Sequence, residues 1–210
     1  AIYSIEKFLI ARRLMYWQVY LHKTVVSAEN MLVSILVRAK ELAAKDTDLF
    51  VTPDLSVFLK NNFSKKDFIS KPGLLDTFAK LDDYDIFTSV KVWAQHEDKI
   101  LSTLCTNLVN RKLFRIELKR EKIELSSEKE LIAKCMKFYN LSEKEAAFFV
   151  VSGEVENSAY KPDNLKINIS MNNGKIIDIA EAGDQLNVEV LSKTVKKYFI
   201  CYPKDLIAKK

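Results

Sequence analysis

Residues 8–31 read FLIARRLMYWQVYLHKTVVSAENM, with no glycine or proline to interrupt them. Reading outward from this stretch, Ile5, Phe8, Leu9, Met15, Val19, Val26, Met31, Ile35 and Leu42 keep helical spacing, which predicts helix from a Ser4 cap to about Lys45. An unbroken helix of that length would span about 60 Å at 1.5 Å per residue. That exceeds the width of a small domain, so the helix must bend or pack against something larger than this chain. Arg12, Tyr16 and Tyr20 stand at i, i+4 and i+8 and form one stripe along it. A guanidinium suits phosphate oxygens, and a tyrosine ring can stack on a sugar or base. His22 and Lys23 follow directly and add cationic capacity. The same stripe also fits a core face edged by a snorkelling arginine.

Further along, Thr52-Pro53-Asp54 predicts a helix start, with the proline in the first turn. A short helix to Lys60 follows, then a polar loop over 61–71. Pro72 opens another short helix, and helices are expected over 84–95 and 97–111. After Arg111 the pattern changes to alternation over 113–118, as in a half-buried strand. Ser127 with Glu130 and Ser142 with Glu145 have capping-box spacing, and each predicts a helix. A strand over 148–155 is expected next, then a hairpin about Asn172-Asn173-Gly174. A helix over 187–195 and a strand over 197–202 complete the reading. The predicted organisation is a helical region over 1–111 and a small α+β subdomain over 112–210. Ala1 enters the helical pattern directly, as if an element had been cut at its edge.

Composition narrows the function classes. The 210 residues carry 33 Lys and Arg against 28 Asp and Glu, a mildly basic balance spread along the chain. A dedicated nucleic-acid binder is more strongly basic, so nucleic acid is not the expected partner. Lys193, Lys196, Lys197 and Lys204 near Tyr198 and Tyr202 could touch an anion, but read more simply as a charged edge that blocks strand pairing. No apolar run is long enough to span a membrane. Cys105, Cys135 and Cys201 are odd in number and widely spaced, which predicts reduced thiols in a cytoplasmic protein.

With only four glycines, phosphate-cradling loops are scarce. The two histidines, His22 and His96, offer no nucleophile–histidine–acid set. His96-Glu97-Asp98 invites a metal reading, but adjacent helical residues point in different directions, and a surface cluster at a helix junction is preferred. No catalytic residue and no metal ligand is assigned within this chain.

The run ARRLMYWQVYLHKT (11–24) resembles the helix that follows the catalytic core in HD-domain deoxynucleoside triphosphate triphosphohydrolases. Residues 84–114 and 191–203 resemble the C-terminal region of bacterial members, more loosely. The resemblance implies a mainly α fold, the portion of an HD-type helical bundle, with the small α+β subdomain appended. It implies that Arg12 contacts a triphosphate, that Tyr16 and Tyr20 face the nucleotide, and that His22 and Lys23 line the pocket or an allosteric nucleotide site between subunits of a homo-oligomer. Leu21 stands where the nucleotide-hydrolysing members carry Gln, and Tyr16 where they carry His. The family's metal ligands, an H…HD…D set, have no counterpart here. The divalent metal is therefore expected in an upstream HD-containing portion of a parent phosphohydrolase. The alternative is a non-catalytic binding or oligomerisation module that packs on an HD-containing partner.

Overall fold

The computed structural model describes residues 2–157, 166–182 and 194–207. Helix α1 spans Ile2–Met15, a π-helical turn follows at Tyr16–Tyr20, and α2 spans Lys23–Ala43. The expected continuous helix is thus broken at Leu21 and His22. Ser4 lies inside α1 and does not cap it. The remaining elements in order are α3 (Pro53–Lys60), α4 (Lys65–Ser70), α5 (Leu74–Ala79), α6 (Asp83–Trp93), α7 (Lys99–Val109), β1 (Arg115–Lys119), α8 (Leu125–Tyr139), α9 (Glu143–Ala146), β2 (Val151–Asn157), β3 (Asn168–Ser170), β4 (Ile176–Asp178), α10 (Ile179–Ala182) and β5 (Val195–Tyr202). The described residues are mainly helical, with a small amount of sheet.

The chain divides into two compact units. One comprises Ala1–Val26, Ile116–Leu125 and Ser152–Ile200; the other comprises Ser27–Arg115, Ser126–Val151 and Cys201–Lys210. Each takes residues from both sides of position 111.

In the first unit, Leu9 of α1 and Ile179 at the start of α10 form a small apolar core, with Ile2, Ile5, Ile167 and Ile169 packed around it. Strands β3 and β4 pair antiparallel, with Ile169 opposite Ile177. The Asn172-Asn173-Gly174 loop closes as expected: the Gly174 N–H donates to the Met171 carbonyl at 2.9 Å, and Gly174 takes φ 77°. That left-handed conformation suits glycine because it has no Cβ. A three-stranded sheet has the order β1-β5-β2, so the last strand in sequence lies at its centre. Its lysines therefore do not guard a sheet edge, which corrects the expectation for Lys196 and Lys197. Gly153 permits close approach inside this sheet, since a Cβ there would come within 2.7 Å of the buried Phe199 ring.

In the second unit, Met31, Ile35, Ala39 and Leu42 make one buried stripe along α2. Ser27 Oγ donates to the Phe114 carbonyl at 2.9 Å, and the Phe114 N–H donates to Met31 Sδ at 3.4 Å. Phe149 packs between Phe114 and Tyr139, at 6.3 and 5.0 Å between ring centres. Three short helices, α3 to α5, would be marginal alone. They share a cluster of Phe58, Phe63, Phe68 and Phe78, with Lys71 over the Phe63 ring.

Several local expectations shift. The polar stretch 61–71 contains α4, started by a capping box in which Ser64 and Asp67 bond each other's backbone. Helix α8 begins at Leu125, so Ser127 and Glu130 lie within it. The Ser142–Glu145 capping box forms before α9. Strand β2 starts at Val151, because 148 and 149 still belong to the turn that leaves α9 and 150 only links the two. Most of the helix expected over 187–195 lies outside the described residues, and Val195 already belongs to β5. The three cysteines are buried free thiols, and burial pushes Cys105, Cys135 and Cys201 up to about 12, 11 and 12.

Candidate nucleotide-facing stripe

The stripe predicted from sequence forms around the π turn. The Leu21 N–H donates to the Tyr16 carbonyl five residues back, at 2.7 Å, and this bond defines the turn. The Arg12 guanidinium lies 5.5 Å from the centre of the Tyr16 ring. The Tyr16 and Tyr20 rings lie 5.1 Å apart, inclined at 46°. Arg12 is exposed, Tyr16 half-buried and Tyr20 51% exposed, so the stack presents a cation and two aromatic faces outward. A planar cation beside aromatic faces is chemically suited to a phosphate joined to a sugar and base.

The other side of the same turn is tied to the sheet. The Lys197 ammonium of β5 sits 4.1 Å from the Trp17 ring centre. Asn157, the buried last residue of β2, donates its amide to the Arg13 carbonyl at 3.3 Å. Neighbouring Lys196 instead forms an exposed ion pair with Glu154 at 2.8 Å. Sequence reading missed Trp17 and Asn157, and took Lys197 for part of a charged strand edge. Their partners are 144 and 180 residues away in the chain, and no local pattern marks them.

His22 and Lys23 lie where the π turn hands over to α2. The Thr24 N–H donates to His22 Nδ1 at 3.3 Å, so that nitrogen acts as an acceptor at the start of α2. Lys23 is the exposed first residue of α2.

A second arginine site emerged that the sequence did not suggest. Arg38 of α2 forks onto Asp98, with Nε–Oδ1 at 3.1 Å and Nη2–Oδ2 at 2.6 Å. It also bonds Glu41 at 2.9 Å and lies 5.6 Å from the Phe148 ring centre. Asp98 caps α7 by accepting the Leu101 N–H at 2.9 Å. Burial favours its neutral form, but the Arg38 fork and the Leu101 N–H outweigh it and hold the carboxyl below its usual range. His96 Nδ1 accepts the Asp98 N–H at 2.9 Å. His96 and Asp98 therefore organise a helix junction, with Asp98 largely buried. A cavity of about 710 Å³ opens beside the fork, bounded by Val33, Val37, Glu41 and Phe148, but Arg38 reaches it already paired.

Among the described residues, no three His, Cys, Asp or Glu side chains come together as a metal site requires. The divalent metal implied by the resemblance does not fit these residues. Among the described residues, no helix is long and apolar enough to cross a membrane.

No protein-family model matches the chain. It is similar to a phosphohydrolase of known crystal structure from Bacteroides thetaiotaomicron, 48% identical with a TM-score of 0.86, over 96% of this chain and 50% of that one. It is 30% identical to the uncharacterized protein YwfO of Bacillus subtilis, over 98% of this chain and 46% of YwfO. It is 33% identical to the uncharacterized protein MG461 of Mycoplasma genitalium, over 54% of this chain and 27% of MG461. The chain thus spans about half the length of YwfO and of the phosphohydrolase.

Proposed function

We propose that this chain is the C-terminal part of a metal-dependent HD-superfamily phosphohydrolase acting on nucleotides, with a deoxynucleoside triphosphate as substrate and the metal centre in the upstream portion. The likeness to a phosphohydrolase, 48% identical over 96% of the chain, carries this reading. The Arg12–Tyr16–Tyr20 stack supports the nucleotide part, since it offers a permanent cation next to two ring faces. In this reading Arg12 binds phosphate oxygens, while Tyr16 and Tyr20 pack on the sugar or base. His22 and Lys23 line the pocket or an allosteric nucleotide site between copies. The catalytic groups lie on the upstream portion, and the residues of this chain bind and orient.

The test uses the intact parent protein with a divalent metal and each deoxynucleoside triphosphate. Release of inorganic triphosphate is expected. Arg12→Ala should weaken nucleotide binding by about 1.5–3 kcal/mol, the loss of a charge-assisted contact. Unchanged affinity in that variant would sink the assignment of Arg12, and absence of hydrolysis with every nucleotide would sink the wider reading.

One observation favours a second reading, a binding or oligomerisation module seated on an HD-containing partner. Phe8, Leu14, Met15 and Val19 expose between 43% and 63% of their surface along α1 and the π turn. Exposed apolar surface of this kind often marks an interface. Sizing chromatography of the isolated chain separates the readings, because a clean monomer counts against an assembly role.

A further inference from the structure

The π turn is not explained by its own sequence. Tyr16-Trp17-Gln18-Val19-Tyr20 contains no glycine or proline, and an ordinary α-helix could continue through it. A shift from four-residue to five-residue bonding is rare and is found mostly at functional sites. It persists where the surroundings impose it. The imposing contacts are those from the sheet. Asn157 takes up the Arg13 carbonyl, and Lys197 covers the Trp17 ring. Arg13 and Trp17 are themselves four residues apart and so lie on one helical face. Arg12 and Tyr16 are the residues immediately before them. The face held by the sheet and the outward stripe therefore belong to the same two turns, and rotating one by a single residue would swing the other by about 100°.

We propose that Asn157 and Lys197 are positioning residues: they hold the π turn in register and so aim Arg12, Tyr16 and Tyr20 at the nucleotide. This rests on the nucleotide reading above. Successive residues of a strand face opposite ways, and Lys196 pairs with Glu154 while Lys197 meets Trp17. Lys196 therefore supplies a control that removes the same charge from the same strand.

The experiment compares the intact parent protein with its Lys197→Met, Lys197→Arg, Asn157→Ala, Lys196→Met and Arg12→Ala variants. Two quantities are read: affinity for a non-hydrolysable deoxynucleoside triphosphate, and amide hydrogen exchange across residues 16–21. Lys197→Met and Asn157→Ala should each weaken affinity about tenfold and speed exchange across 16–21 by a similar factor, with exchange over 27–43 unchanged. Lys197→Arg, which keeps a cation over the ring, should restore both, and Lys196→Met should alter neither. Unaltered exchange across 16–21 in Lys197→Met and Asn157→Ala overturns the proposal whatever the nucleotide data show. Faster exchange with unaltered affinity overturns it too, provided that Arg12→Ala weakens binding. If wild type and Arg12→Ala bind nucleotide equally, the nucleotide reading fails, and with it the aiming role; the exchange data then decide whether the two residues hold the turn.

Discussion

Arg12 lies 5.5 Å from the centre of the Tyr16 ring and Arg38 lies 5.6 Å from that of Phe148. The ring contacts are alike, and the settings are not. Arg38 has 13% of its side chain exposed and divides its donors between Asp98 and Glu41, with Asp98 in turn capping a helix. Arg12 is exposed near the end of α1, just before the π turn that carries two tyrosines. A guanidinium over an aromatic ring therefore does not by itself distinguish a binding residue from a structural one. For Arg38 the burial and the two-pronged fork onto a helix-capping carboxylate mark the structural role.

This contrast can be broken by experiment. The largest expected effect is on stability: Arg38→Ala should cost about 3 kcal/mol in denaturant unfolding, because it strands a largely buried Asp98 carboxylate. Arg12→Ala should move the same curve by no more than about 0.5 kcal/mol, as an exposed substitution does, with its effect falling on nucleotide affinity instead. A similar stability loss in both variants would erase the distinction. Tyr16→Ala comes next, with an expected loss of about 1 kcal/mol in nucleotide binding from the lost ring stack, and Tyr16→Phe should recover most of it. The smallest effect is in the pH dependence of unfolding. The folded carboxyl of Asp98 titrates below its unfolded value. Its contribution is therefore complete above the unfolded carboxylate range near 4 and is lost as pH falls through the lower folded value. Asp98→Asn should flatten that acid limb, and an acid limb identical to wild type would show that the fork contributes nothing.

Local chemistry was legible where partners are near in sequence. The Ser142–Glu145 box and the Asn172-Asn173-Gly174 hairpin declare themselves within a few residues. Ser64–Asp67 has the same spacing and could have been found, but the polar loop around it hid a helix of six residues. The alignment of Arg12, Tyr16 and Tyr20 follows from helical geometry, and so was visible. The π turn was not, because its cause lies in Asn157 and Lys197, on strands formed by distant residues. The Arg38–Asp98 fork is hidden for the same reason, its partners standing 60 positions apart in sequence. Strand β5 misled because a lysine-bearing strand at the end of a sequence resembles an edge, whereas sheet order depends on pairing that no single segment encodes.

The two units interleave along the chain, with passages at 26/27, 115/116, 125/126, 151/152 and 200/201. During synthesis neither unit can close early, since one awaits residues up to Ile200 and the other awaits Cys201 and beyond. A ribosome would present a long nascent chain with both units incomplete, the kind of intermediate that chaperones attend. Dissection meets the same constraint: a cut at any one bond leaves no fragment holding a whole unit beside a discarded one, so the gene cannot be trimmed to either unit by a single stop codon.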